Sequence, residues 1–289
     1  MAVSETSAPS LDAGRSTRVS WRMRLLIAAG VAAAAVALYL LLRTGADDVL
    51  RWDLRFGPSF ERRLKTVAAI VLAAFCQGVA TVLFHTVTHN RILTPSIMGF
   101  DALYLLLQTF LVFTIGSARL AAVDGGVRFG GEVAVMVTFG VMLYRWLLIG
   151  ARRSVHVLVL AGIVLGVLFR SLSSFMQRLI DPNEFQVLQD AMFASFNSFD
   201  RSLVWPAAGL LAVAVSVAWG LRRRLDVLLL GRERATSLGV DYRRTVGLVL
   251  VVVAVLVSVS TALVGPIMFF GLLVANLAYR IAGSHRHAV

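Results

Sequence analysis

Long apolar runs of nearly equal length recur through this chain, and that recurrence decides what it can fold into. Leu25 to Leu42, Val67 to Phe84, Met98 to Ile115, Val133 to Gly150, His156 to Phe175, Leu203 to Gly220, Val246 to Val264 and Pro266 to Ala282 carry few charges or none. A helix of about 20 apolar residues crosses the roughly 30 Å of bilayer hydrocarbon, where only helices or closed barrels satisfy their own backbone. The expected fold class is all-α, a polytopic transmembrane helical bundle with eight spans in this chain. Only Gly265-Pro266 divides the last run from its predecessor, so a hairpin partner or a broken helix is expected there. Composition agrees: 15% of residues are charged and the mean hydropathy is +0.80, against about 25% charged in soluble domains. Disorder, collagen, coiled coil and a secreted disulfide scaffold are excluded. Cys76 is the single cysteine and lies inside an apolar run, which leaves no internal disulfide and speaks against a cysteine metal site. Residues 1–20 read as a disordered cytoplasmic tail and 21–289 as the transmembrane domain.

The net charge of +12 is read against the bilayer, since cytoplasmic loops retain Lys and Arg. With the N-terminus in the cytoplasm, the inside segments and the span-end Arg280 hold 16 basic and 5 acidic residues, whereas the outside segments hold 10 of each. Topology therefore accounts for 11 of the 12 excess charges and removes the nucleic-acid reading, which needs a folded basic surface. Trp21, Trp146, Trp205 and Trp219 fall at or near span ends, where amphipathic rings meet the headgroups.

Ionisable groups inside spans are functional candidates by default. Asp101 follows Pro95 and Gly99 at a helix start, where capping and the macrodipole favour a carboxylate. Arg145 and Arg170 lie a turn or two from span ends and are expected to snorkel. His85 and His89 have the i, i+4 spacing of metal ligands, but no acidic or thiol ligand follows within ten residues, so a solvated helix end is expected. His285 and His287 read as a basic tail. The sequence has no nucleophile elbow and no Walker loop, so no catalytic residue, bound metal or nucleotide machinery is assigned.

Three polar interruptions carry more information. Asn90 to Gly99 holds Pro95 and Gly99 and should be irregular at the membrane edge, tolerable where protein or a water-filled cavity covers it. The loop between the sixth and seventh spans places Gly231 and Gly239 around two turns of helix, charged on one side with Ala235 and Leu238 on the other; so short an amphipathic segment suits a protein groove. Gly265-Pro266, followed by Gly271 and Asn276, should leave helix ends at membrane depth.

Together these segments resemble the FecCD family, the permease subunits of ABC importers for iron-siderophore complexes, haem and vitamin B12. The family's Asn-Pro-Leu-Ala-x-Pro-x-x-Leu-Gly stretch is matched by Asn90, Pro95 and Gly99, with Leu93 loosely. Its coupling segment is matched by Leu230, Gly231, Ala235, Leu238, Gly239 and Val240, within 225–242. Its Gly-x-Ile-x-Phe-x-Gly-Leu turn is matched by Gly265, Ile267, Phe269, Gly271 and Leu272. The resemblance implies a permease domain over 21–289, with a pathway at a permease dimer interface touching Asn90, Pro95, Gly99, Gly265, Pro266, Gly271 and Asn276. It also implies an ABC ATPase dimer that holds ATP and Mg and grips the coupling segment, a second permease subunit, and an extracytoplasmic siderophore-binding protein. No cofactor is expected on this chain, which would be a multi-pass protein of the bacterial cell membrane in contact with lipid. Arg62-Arg63-Leu64-Lys65 resembles a basic element that docks the binding protein, so Arg62 and Lys65 are expected there; an interfacial anchor is the other reading.

Departures are Arg91 for the usual Pro, His85 for Gln, and Ala275-Asn276 for Pro-His. The wording from Arg91 to Asp101, with Leu273 to Leu277, is similar to the branch for catecholate-type siderophores, usually heterodimeric. Other readings are a divalent-metal permease using His85 and His89, a haem or vitamin B12 permease, and a secondary transporter without an ATPase. The family typically has ten spans, so a chain lacking its last hairpin is expected in preference to a divergent eight-span subunit.

Overall fold

The structure is a computed structural model and describes residues 21–44, 50–52, 58–149, 155–196 and 199–282, apart from some side chains next to the gaps. The expected tail 1–20, His285 and His287 lie outside the described residues, as do the side chains of Trp21 and Trp146.

The chain forms α1 (Trp21–Leu41), the antiparallel pair β1 (Leu42–Thr44) and β2 (Leu50–Trp52) with Arg43 opposite Arg51, and α2 (Pro58–Thr88). A 3₁₀ turn (Pro95–Met98) leads into α3 (Phe100–Ile115), followed by α4 (Ser117–Ala122), α5 (Gly125–Ile149) and α6 (Val155–Gln177). Next come α7 (Pro182–Met192), a 3₁₀ turn (Arg201–Leu203), α8 (Val204–Leu228), α9 (Arg232–Ser237), α10 (Tyr242–Val264) and α11 (Phe270–Ala282). Among the described residues five helices are long and apolar enough to span a membrane, and three shorter apolar helices cover Leu25–Leu41, Phe100–Ile115 and Phe270–Ala282. Each of the eight apolar runs thus has its helix.

Burial ranks the helices. In α10, 72% of the most apolar window is inside the bundle, and in α2 50%, against 28% for α6 and 22% for α8. The two best-buried helices pack along each other. Ala69, Ala73, Cys76 and Ala80 form a small-residue stripe on α2, each at most 1% exposed. Small side chains let backbones approach closely, which is what drives association where lipid tails are as apolar as leucine. Val249, Leu250, Val253 and Val257 of α10 are equally buried, and α10 also packs on α5 and α8.

Helix ends run past the apolar runs. α5 starts at Gly125 rather than Val133, because Arg128 and Glu132 make an i, i+4 ion pair at 2.9 Å that hydropathy reads as a loop. α8 continues to Leu228 through Arg222, Arg223 and Arg224, and α2 begins at Pro58, a residue suited to a helix's first turn. At one end of the bundle lie α9 and the C-termini of α2, α8 and α11; at the far end lie α4, α7 and Gly265.

Candidate functional site

α9 is a strap between two glycines. Gly231 (φ +90°) and Gly239 (φ +79°) stand in the left-handed region that favours glycine. The strap closes with a Schellman motif: the Gly239 N–H donates to the Thr236 carbonyl and the Val240 N–H to Ala235, both at 3.0 Å. Asp241 then starts α10, its carboxylate accepting from the Arg244 N–H at 3.1 Å. Ala235 is fully buried, and α9 packs on α8 and α10 through it. Leu230 and Leu238 are 49% and 62% exposed. The single stripe expected of Ala235 and Leu238 is therefore split: Ala235 anchors the strap, and Leu238 faces away with Arg232, Glu233 and Arg234. A Cβ added to Gly231 or Gly239 would meet open space.

The second element is the turn between α2 and α3. His89 has φ +52°, and the Asn90 side chain accepts from the Ile92 N–H at 2.9 Å. Thr94, Pro95, Ser96, Met98 and Gly99 are buried, so protein covers the irregular backbone. Gly99 (φ +88°) ends the 3₁₀ turn and opens α3, its carbonyl accepting from the Leu103 N–H at 2.8 Å. The turn lies on α6, where Gly162 and Gly166 leave room for it: a Cβ on Gly166 would come within 3.2 Å of the Gly99 Cα. The Gly162-x-x-x-Gly166 spacing in an apolar run was a readable signal for close backbone packing, and the sequence reading missed it.

Three assignments change. His85 is no solvated helix end: it is 4% exposed, and its Nδ1 lies 3.3 Å from the Tyr279 hydroxyl, with the rings stacked. His89 Nε2 instead lies 3.2 Å from the Leu228 carbonyl on α8, so the two rings reach different helices. Arg91 sits over the Tyr279 ring at 4.9 Å. Asp101 occupies the first turn of α3, where the macrodipole favours it, yet its side chain makes no capping bond and is 3% exposed.

At the far end Gly265 (φ +92°) breaks the chain after α10. The Val264 carbonyl accepts from the Ser195 N–H at 2.8 Å, and a Cβ on Gly265 would stand 2.9 Å from the Phe193 carbonyl oxygen. The segment before α8 thus covers the break that Pro266 follows. Gly271 is a packing residue, since a Cβ there would strike the Thr81 hydroxyl of α2; Asn276 is exposed. The residues expected to share a pathway are therefore spread along the bundle: Asn90 follows the α2 terminus at the α9 end, the Pro95 turn and Gly99 lie against Gly162 and Gly166 of α6, Gly271 lies against Thr81 of α2, and Gly265 with Pro266 stands at the far end. Arg62 is exposed on α2, and Lys65 pairs with Glu61 at 2.8 Å. Arg63 donates to the Tyr39 carbonyl at 2.8 Å and so ties α2 to α1.

Sequence reasoning also missed a polar cluster facing a far-end cavity of about 530 Å³. Glu132 is 4% exposed, and its Oε1 accepts from Gln108 at 2.7 Å and from Arg128 at 2.9 Å; Arg128 also donates to Gln108 Oε1 at 2.7 Å. This joins α3 to α5. At the rim, the Asp200 carboxyl is held below its usual range by the Ser202 hydroxyl and N–H, at 2.7 and 2.9 Å.

Residues 25–289 match the FecCD transport family. The petrobactin import system permease protein YclO of Bacillus subtilis (strain 168) is 46% identical over 267 residues, covering 92% of this chain and 82% of that protein. The petrobactin import system permease protein FatC of Bacillus anthracis is 39% identical, covering 80% and 66%, so this chain spans just under two thirds of that relative's length. The ferric enterobactin permease FepD of Escherichia coli (strain K12) is 30% identical, covering 78% and 66%. A solved metal-chelate type ABC transporter in an inward-facing conformation has the same fold, with a TM-score of 0.74 at 19% identity over 93% of this chain and 84% of that one.

Proposed function

The chain belongs to the FecCD transport family, and from that membership we propose that it is a membrane-spanning permease subunit of an ATP-driven importer of ferric-siderophore complexes. It is a multi-pass membrane protein and a transport subunit, not an enzyme. The observation that carries the mechanism is the α9 strap, anchored by Ala235 and presenting Leu238 and charged side chains outward. That face is the docking surface for one subunit of an ABC ATPase dimer, which holds ATP and Mg.

Movement of the strap has short routes inward. α9 begins four residues after Leu228, whose carbonyl lies against His89, and His89 precedes the buried turn seated on α6. Displacing α9 therefore works on the α8 and α10 ends and on the turn of Asn90, Pro95 and Gly99. Shifting that turn against Gly162 and Gly166 opens or closes the path at this end. Gly265 and Pro266 leave the far end a break that repacks with the 193–195 segment. No chemistry is performed on the cargo.

The named relatives include paired permeases of one system, FatC and FatD of Bacillus anthracis, which supports a second permease subunit as partner and a heterodimer. The excess of basic residues in the segments expected inside, 16 against 10 in those expected outside, supports a cytoplasmic N-terminus in the bacterial plasma membrane. The binding protein then docks at the far end, where Arg62 and Lys65 lie. Similarity to the YclO and FatC permeases favours a siderophore of the petrobactin class over haem or vitamin B12. Affinity capture of the tagged chain from membranes tests the reading: a Walker-type ATPase is recovered with the wild type and lost with Gly239→Trp. Equal recovery with both would remove α9 as the docking surface.

A further inference from the structure

Arg170 points the wrong way for a snorkelling arginine. It stands about two turns before Gln177, the nearer end of α6, yet its Nε reaches back to the Gly166 carbonyl at 3.4 Å, toward the middle of the helix. Gly166 has no side chain, and a Cβ there would stand 3.2 Å from the Gly99 Cα and 3.9 Å from Arg170 Nη2. The guanidinium therefore lies beside the seam where α6 receives the Pro95–Met98 turn. A charge directed deeper into the bundle, away from its nearer exit, calls for a counter-charge there.

Asp101 supplies one. It lies in the first turn of α3, two residues beyond Gly99 and 3% exposed, and α6 is the helix on which α3 packs most extensively. Neither carboxylate oxygen has a hydrogen-bond partner among the described residues, and the neighbouring Ser96 hydroxyl has none either. Arg170 acts on this carboxyl electrostatically. Burying a carboxylate is costly unless a partner compensates it. Where two polar groups face each other beyond direct reach, a bridging water joins them at little loss, and Asp101, Ser96 and Arg170 offer such a water both acceptors and donors.

We propose that Asp101 and Arg170 are a charge pair, bridged by water, that clamps the Pro95–Met98 turn to α6, and that the turn lifts only when this pair parts. Both are positioning residues, which set how readily the turn leaves Gly162 and Gly166. Use of the clamp as a gate latch rests on the permease reading above; the clamp itself is tested without transport.

Thr94, 3% exposed where the turn begins, provides the probe. Thr94→Cys is made in the full chain together with Cys76→Ala, which keeps the small-residue stripe of α2, and its reaction with N-ethylmaleimide is timed in membranes. A thiol buried there reacts only when the turn opens. Arg170→Gln and Asp101→Asn should each speed the reaction at least about tenfold, less than the loss of a fully buried pair gives, because Arg170 is exposed on one side. The double variant should react no faster than Arg170→Gln alone, since one clamp is lost only once. In the chain that keeps Cys76, its single cysteine at 1% exposure, the same substitutions should leave the thiol's rate unchanged. Unmoved rates at position 94, factors that multiply in the double variant, or equal acceleration at Cys76 would each overturn the proposal. No nucleotide enters these rates, so failure of the wild-type chain to capture an ATPase would strike the importer reading alone.

Discussion

Gly162 of α6 lies so close to Met98 that a Cβ on the glycine would come within 2.8 Å of the Met98 Cα and 3.0 Å of its carbonyl oxygen. Backbone meets backbone here, so neither side can yield by a rotamer change. Gly162→Leu should push the Pro95–Met98 turn off α6 and cost about 1–3 kcal/mol, the usual range for overpacking. Uptake should fall at least tenfold, and Gly162→Ala should be impaired as well. Gly209→Ala on α8, where a Cβ meets nothing within 4 Å, is the control expected to keep full activity in the same uptake assay.

Gly239 separates backbone strain from surface occlusion. Its φ of +79° disfavours any β-branched side chain, yet the space around it is open. Gly239→Asn should preserve coupling, since asparagine tolerates the left-handed region, whereas Gly239→Val should lose about 1–2 kcal/mol locally. Gly239→Trp should leave the subunit inserted and folded but uncouple it, because the indole would occupy the surface the ATPase grips. ATPase activity and uptake, measured together in proteoliposomes, would distinguish these outcomes.

The packing of α11 on α2 makes a separate claim. Gly271 faces the Thr81 hydroxyl and the Gln77 carbonyl, and Gly78 faces Val274, whose Cγ1 would lie 2.6 Å from an added Cβ. At Gly78 the obstacle is a side-chain methyl, so Gly78→Ala combined with Val274→Ala should recover stability that Gly78→Ala alone loses. At Gly271 an added Cβ strikes the Thr81 hydroxyl and also stands 3.1 Å from the Gln77 carbonyl oxygen, so Thr81→Ala should rescue Gly271→Val only in part. Thermal unfolding in detergent checks both, with the rescue absent if the helices do not pack this way.

How much of this was legible follows from what each signal measures. Hydropathy located all eight apolar helices because the cost of crossing hydrocarbon is written in composition. It missed the Gly125 start of α5, because the Arg128–Glu132 pair within that helix is completed by Gln108 of α3, and no window along α5 contains that third partner. The glycine-bounded strap was readable from Gly231 and Gly239, whose conformation only glycine adopts easily. Which side of the strap was anchored was not, since Ala235 and Leu238 are both apolar and only tertiary contact separates them. His85 was misread because its partner Tyr279 lies 194 residues away.

The Gln108–Arg128–Glu132 cluster gives a stability prediction. Removing one member of a buried charged pair costs about 3–5 kcal/mol, and the value should fall at or below the low end here because the Arg128 side chain is 34% exposed. Glu132→Leu should therefore destabilise by about 2–3 kcal/mol, whereas Glu132→Gln, which keeps an acceptor for both donors, should cost under half as much. Chemical denaturation in mild detergent would compare them, and equal losses would show that the cluster does not tie α3 to α5.

The central claim is that this chain is the membrane path of an importer driven by ATP through α9. Its most direct measurement is accumulation of iron-55-labelled ferric siderophore in proteoliposomes containing this chain, its second permease and the ATPase, with binding protein added outside. The account predicts accumulation that requires ATP inside and disappears with Gly239→Trp while the protein remains inserted. Accumulation driven by a proton or sodium gradient with no ATPase present would contradict it.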